Sequence, residues 1–171
     1  MVAIKISSPG KVFFKQERWG RDNRMFTTYK FRSMIPDTIE VDEKGNFKPV
    51  TKDDPRVTKI GKFLRKTNLD ELPQFWNVLK GEMSLVGPRP HPTPLNIQSR
   101  DKIRLYMLRH LVKPGITGWA QVKHKYDESI EDVKIKLRYD LFYIENMSLR
   151  MDFKIILRTI FVVLFGKGPY Y

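Results

Sequence analysis

Apolar positions along the chain keep two different periods. Leu72, Phe75, Trp76 and Leu79 recur at steps of three, one and three, as on one face of a helix. Ile130, Val133, Leu137, Leu141 and Ile144 recur at three and four, which predicts a helix with that face in the core, opened by a cap at Ser129 and Asp132. A short helix is predicted from Asp54-Pro55, with Ile60, Phe63 and Leu64 on its apolar side, and a polar helix from about Ile97 to Leu111. The last helix, from about Leu149 to Phe165 with Gly166 ending it, sets Phe153, Ile156, Leu157, Ile160, Phe161 and Leu164 against Arg150, Lys154 and Arg158. Residues 11–16 and 26–32 are instead rich in β-forming side chains, and the polar stretch 19–24 between them predicts a hairpin. Ser8-Pro9-Gly10 reads as a turn, and residues 36–55 as a surface loop without chemistry. The pattern predicts an α+β fold: one mainly helical domain over residues 1–171, with a small N-terminal β-hairpin and amphipathic membrane-surface helices.

Composition narrows the partners. The chain has 171 residues, 41% of them hydrophobic, enough for one core. Its 32 Lys and Arg against 19 Asp and Glu give a net charge of +13, which calls for an anionic partner: nucleic acid, an anionic bilayer face or phosphorylated substrates. Without cysteine there are no disulfides, thiolate metal sites or Cys nucleophiles, and three dispersed histidines suggest no zinc cluster. No uncharged apolar run approaches the roughly 20 residues of a spanning helix. A membrane role would therefore be interfacial. The last helix, with its cationic stripe beside a broad apolar face, suits the headgroup plane of an anionic leaflet, or else packs on the domain.

The candidate chemistry centres on Asp70 and Glu71, placed by the spacing in the first turn of the Leu72–Leu79 helix, where unpaired N–H groups favour ionised carboxylates. Asn68 and Glu71 resemble a capping box. Pro88 and Pro90 confine Arg89 to an extended backbone, holding a guanidinium that suits phosphate. A carboxylate nucleophile, a second carboxylate for a hard cation and a fixed arginine together point to phosphoryl transfer with Mg²⁺.

Residues 69–74, 77–81, 83–90 and 113–121 resemble, in the same order, the motifs of the bacterial monotopic phosphoglycosyl transferases, which begin exopolysaccharide, O-antigen and glycoconjugate assembly on undecaprenyl phosphate. Gln16–Gly20 and Tyr29–Met34 resemble two further motifs, and the likeness runs from about Ser8 to the end. It implies transfer of a sugar-1-phosphate from a UDP-sugar to undecaprenyl phosphate, with release of UMP. Asp70 is then the catalytic nucleophile, carrying a covalent phosphosugar, and Glu71 the catalytic partner that ligates Mg²⁺. Lys30, Arg65, Arg89 and Pro90 are then substrate-binding residues. The resemblance also implies a place on the cytoplasmic face of the bacterial inner membrane, against its anionic leaflet, and no nucleic acid. Relatives carry an apolar re-entrant helix just before Ser-Pro-Gly, so the expectation is a catalytic domain truncated at its N-terminus.

Other residues carry blander readings. Arg18 and Arg32 are expected on a solvated strand face, and Lys30 is divided between that and substrate contact. His91 is read as a loop histidine, Trp119 as seated in the core by a Gly/Pro turn, and Asp140 as the partner of a nearby base. Residues 123–127 depart from relatives that place Asn-Gly here, which leaves hexose and acetamido sugars both open, although residues 88–92 and 106–114 look closer to hexose-type relatives. The rival reading is a non-enzymatic basic module binding nucleic acid or anionic membrane, which accounts for the charge and leaves the acidic pair unexplained.

Overall fold

The computed structural model describes residues 1–36, 50, 54–124 and 129–164. Helix α1 (Val2–Ser7) leads into an antiparallel hairpin of β1 (Phe13–Trp19) and β2 (Met25–Phe31), joined through a 3₁₀ turn at Arg21–Asn23. The register pairs Phe13 with Phe31 and Lys15 with Tyr29. Because side chains alternate, those four share one face, while Gln16, Arg18, Thr28 and Lys30 share the other. The hairpin is therefore a partition between an apolar side and a polar side.

Helix α2 (Lys59–Lys66) begins at Thr58, whose hydroxyl accepts from the Gly61 amide at 2.9 Å. The predicted start at Asp54 does not hold, because Asp54 instead binds the Arg56 side chain at 2.6 Å. A 3₁₀ turn at Leu69–Glu71 follows, then α3 (Gln74–Leu79) and β3 (Ser84–Val86). Helix α4 (Thr93–Lys102), a 3₁₀ helix at Tyr106–Leu111 and β4 (Gly115–Thr117) come next. The polar helix expected over residues 97–111 is thus two pieces, broken where Ile103 is extended and Leu105 takes a left-handed φ of 64°. Helices α5 (Trp119–Lys123), α6 (Ile130–Glu145) and α7 (Leu149–Leu164) complete the chain. The fold is α+β and mainly helical, as expected.

Helix α6 organises the core. Its capping box forms as predicted, with Ser129 Oγ accepting from the Asp132 amide and the Asp132 carboxylate accepting from the Ser129 amide at 3.0 Å. Val133 and Leu137 pack with Leu95, Ile103 and Tyr106, and nearly two turns on Tyr143 packs with Val86, Trp119 and Ile155. Trp119 is buried, as predicted, with Lys123, Lys154 and Arg158 each within 4.8–5.4 Å of its ring. Two cations of the expected α7 stripe are therefore spent on Trp119. The rest of α7 turns Phe153, Leu157, Ile160 and Phe161 outward, each at least half exposed. No helix among the described residues is long and apolar enough to cross a membrane. The expected loop over residues 37–49 and 51–53, the departure at residues 125–127, and Phe165 and Gly166 at the end of α7 lie outside the described residues.

Strand β4 was not foreseen. It runs parallel to β3, with Ser84 opposite Gly115 and Val86 opposite Thr117, and brings the two backbones together at glycines. A Cβ on Gly115 would stand 2.1 Å from the Gly87 nitrogen, which neither backbone can vacate without breaking the pair. Gly115→Ala should therefore destabilise the domain by about 1–3 kcal/mol, as overpacking does, read as a lower midpoint in chemical denaturation.

Candidate active site

The acidic pair sits in the 3₁₀ turn, not in the first turn of α3. Asn68 precedes it in a left-handed conformation, φ 55°, which asparagine tolerates, and its side chain makes no cap. Pro73 stands between this turn and α3. The expected capping box and its helix-start electrostatics are thus absent, and the pair is held by side chains.

Glu71 is clamped by two cations from distant elements. Arg89 Nη1 donates to Glu71 Oε2 at 3.0 Å and Nη2 to Oε1 at 2.5 Å, a two-pronged pairing. Lys30 Nζ, from the polar face of β2, donates to Oε1 at 2.6 Å. Burial pushes the Glu71 carboxyl up, but Arg89 and Lys30 together outweigh it and hold it well below the usual carboxylate range. Lys30 is lowered by burial, against the opposing pull of Glu71. Asp70, buried next door, behaves oppositely: burial pushes its carboxyl up, with Lys30, Arg65 and Arg89 opposing and Glu71 adding. Among the described residues no hydrogen bond reaches the Asp70 carboxylate. Both oxygens of one acid are thus engaged, and among the described residues its neighbour is left with unspent lone pairs.

The backbone around Arg89 is fixed from two sides. Arg109 Nη2 donates to the Arg89 carbonyl at 2.8 Å, and Arg18 Nη1 to the Pro90 carbonyl at 3.2 Å. Arg18, Thr28, Lys30, Gln74, Arg89 and Pro90 line one narrow cleft. Arg18 is 8% exposed and so is not a solvated strand position. Arg32 is not one either: its guanidinium donates to the carbonyls of Ile4, Ser8 and Pro9 and ties α1 to the hairpin. Lys30, Asp70, Glu71, Arg89 and Pro90 are thus gathered as the sequence suggested, and Arg65 from α2 acts on Asp70 through its charge.

His91 has partners, contrary to its reading as an idle loop residue. It is buried, and its Nδ1 lies 2.7 Å from the Tyr106 hydroxyl and 2.5 Å from Arg109 Nη1. Burial, then Arg109, lowers its pKa well below normal, so the ring is neutral and Nδ1 accepts. Arg109 in turn pairs with Asp140 at 2.8 Å, which confirms the expected base for Asp140. In the sequence these residues are scattered over fifty positions with one aromatic, Tyr106, between His91 and Arg109, and nothing there joins them.

A hard cation fits this site conditionally. Among the described residues no group of three His, Cys, Asp or Glu converges, so the protein alone forms no metal cage. Three of roughly four acceptor positions on Glu71 are already taken by Arg89 and Lys30. A cation resting on Glu71 therefore needs a polyanionic ligand to draw those cations off and to supply oxygens of its own, which is how Mg²⁺ is commonly held.

An α+β domain that gathers buried cations around an acidic pair, in a strongly basic chain, has the charge arrangement of a site for anionic ligands. The comparisons place it further: residues 1–166 match the family described as bacterial sugar transferase, and the chain belongs to that family. It is 48% identical over 98% of its length to UDP-N-acetylgalactosamine-undecaprenyl-phosphate N-acetylgalactosaminephosphotransferase of Aeromonas hydrophila, covering 38% of that protein. It is equally 48% identical over 99% of its length to UDP-glucose:undecaprenyl-phosphate glucose-1-phosphate transferase of Escherichia coli K12, covering 36% of it. An uncharacterised sugar transferase of Bacillus subtilis, 46% identical over 98% of this chain, is covered to 76%.

The buried Arg109 and Asp140 pair makes its own prediction. Asp140→Asn keeps the side-chain shape but leaves a buried guanidinium without its countercharge, and should cost about 3–5 kcal/mol, measured by denaturant unfolding.

Proposed function

We propose that the chain is the catalytic domain of an enzyme that transfers a sugar-1-phosphate from a UDP-sugar to undecaprenyl phosphate, with release of UMP. The observation that carries this is the contrast within the dyad: Glu71 bound by two cations, Asp70 buried beside it without a hydrogen-bond donor among the described residues. An Asp70 oxygen attacks the β-phosphorus of the UDP-sugar, and the bond from that phosphorus to the bridging oxygen breaks. UMP leaves with the electron pair. A polyprenyl phosphate oxygen then attacks the same phosphorus and the bond to Asp70 breaks, restoring the carboxylate and giving a polyprenyl diphosphosugar. Arg65, Arg89, Lys30 and Pro90 hold the diphosphate. In the free protein Glu71 serves as internal counterion for Lys30 and Arg89, so an arriving diphosphate replaces one anion with another. Mg²⁺, when bound, would rest on Glu71 and phosphate oxygens and neutralise charge on the diphosphate.

The relatives at equal identity act, by name, on UDP-glucose and on UDP-N-acetylgalactosamine, so the proposed donor is a UDP-sugar of the class that takes in both hexoses and acetamidohexoses. The net charge of +13 and the outward apolar residues of α7 support a position on the anionic cytoplasmic face of the bacterial inner membrane. A nucleic-acid-binding module would need neither the clamped carboxylate nor the unpaired one.

With the full-length protein, UMP release from UDP-sugars should be abolished by Asp70→Asn, together with any trapped phosphosugar adduct; full residual activity removes Asp70 from this role. The same variant should melt about 2–4 °C higher. A buried carboxyl whose pKa is raised opposes folding at neutral pH, and the amide relieves that. The pH profile of kcat/KM should be a bell. Asp70 must be ionised and its pKa is raised, so activity falls on the acid side before pH drops to the ordinary carboxylate value of 3.8. Lys30 must be charged and its pKa is lowered, so the alkaline limb falls below 10.5.

A further inference from the structure

Helix α3 is inverted with respect to an ordinary surface helix. Gln74 and Asn77 are buried, while Phe75, Trp76 and Leu79, with Leu72 just before them, are 48–79% exposed. Burying the polar side is explained by Asn77: its amide nitrogen donates to Thr27 O and Glu82 Oε2 at 2.7 Å each, and its oxygen accepts from the Tyr29 amide. These bonds stitch α3 to the outer edge of β2. The exposed apolar side has no such explanation. Together with the apolar face of the hairpin it forms a groove of about 560 Å³, lined by Phe13, Tyr29, Phe31, Leu72, Pro73 and Trp76, with Lys15 at its rim. Lys15 and Lys80 stand over the Tyr29 ring at 5.5 and 5.4 Å.

The position of this groove names its occupant. Leu72 follows Glu71 directly, so consecutive Cα atoms about 3.8 Å apart carry the last acid of the dyad and the first wall of the groove. On the opposite face of the hairpin lies the polar cleft where the cations Arg18, Lys30 and Arg89 converge. A phosphate that reacts at Asp70 and carries a long hydrocarbon chain needs an apolar exit from that point, and the groove supplies one. We propose that it holds the isoprenoid units of the polyprenyl phosphate acceptor nearest the phosphate. Four aromatic rings and a leucine offer flat and branched apolar surface to a methyl-branched, unsaturated chain, and the volume falls within the ordinary range for a small-ligand site. This assignment rests on the transferase reading for the identity of the lipid. The hairpin then keeps the two substrates apart, donor on one side and acceptor chain on the other.

The test uses the full-length enzyme and an undecaprenyl phosphate carrying a photoactivatable diazirine on its first isoprenoid unit. Crosslinks should map to residues 13–31 and 72–76, and unlabelled undecaprenyl phosphate should compete them away while phosphatidylglycerol at equal concentration does not. In parallel, Trp76→Ala and Phe13→Ala, at partly exposed positions that leave the core intact, should raise KM for the acceptor about tenfold while KM for the UDP-sugar stays within twofold. Crosslinks elsewhere in an enzyme with normal turnover overturn the groove, as does an acceptor KM unchanged in both variants. A groove already filled by another segment of the polypeptide or by a second copy shows itself as absence of crosslinking, and also overturns it. Competed crosslinks at these residues in an enzyme that releases no UMP from any UDP-sugar would sink the catalytic reading and leave the lipid site standing.

Discussion

Two cations held within hydrogen-bond reach of one buried carboxylate set the terms for the rest of the structure. Lys30 and Arg89 both contact Glu71 Oε1, and without that carboxylate they would face each other in a poorly solvated cleft. The arrangement is stable because the three charges sum to a single excess positive one and every Glu71 oxygen is engaged. It also stores a capacity. A polyanion can draw the same two cations off Glu71, so under the proposed function the charges a diphosphate needs are gathered before it arrives.

Delivering those groups to one place requires contacts far apart in sequence. Lys30 comes from β2, Glu71 from a 3₁₀ turn 41 residues on and Arg89 from a proline-confined segment 18 residues beyond that. Glu71 is held by the two cations, and the backbones that carry those cations are themselves anchored. Asn77 fixes β2 against α3, Arg18 holds the Pro90 carbonyl and Arg109 holds the Arg89 carbonyl. Arg109 is itself oriented by Asp140 on α6, by neutral His91 and by the Tyr106 hydroxyl, which donates its own hydrogen bond to Asn96 Oδ1. A continuous chain of buried polar groups thus runs from the core-forming helix to the guanidinium that grips Glu71, and rigidity is what a positioned charge requires.

How much of this could be read beforehand depended on distance along the chain. Helix α6 and its Ser129–Asp132 cap were legible because cap, period and packing all lie within one element. The hairpin was legible, with its bounds shifted, because β-rich segments flank a polar turn. The dyad and Arg89 were legible as candidates because carboxylate adjacency and flanking prolines are local. Arg18, His91 and Arg109 were not, since their partners lie 72, 15 and 31 residues away and no period links them. Strand β4 was hidden for the same reason, three residues long and paired with a strand some thirty residues earlier. For α3 the apolar period was correct and said nothing of direction: a stripe at helical spacing looks the same whether it meets a core or faces outward.

That last ambiguity follows from one constraint. To carry Lys30 on its polar face the hairpin must turn its other face, Phe13, Tyr29 and Phe31, away from the cleft, because strand side chains alternate. To brace β2 at its outer edge, α3 must spend its polar residues Gln74 and Asn77 inward. Both elements are then left with apolar surface on the same side, beside the dyad. The geometry that positions the charges therefore generates a hydrophobic trough adjoining them. Burying the trough inside the domain would require α3 to rotate, and rotation would release β2 and with it Lys30. The apolar surface at this edge is thus a direct consequence of how the anion cleft is built, and a substrate that joins a phosphate to a hydrocarbon chain matches both halves at once.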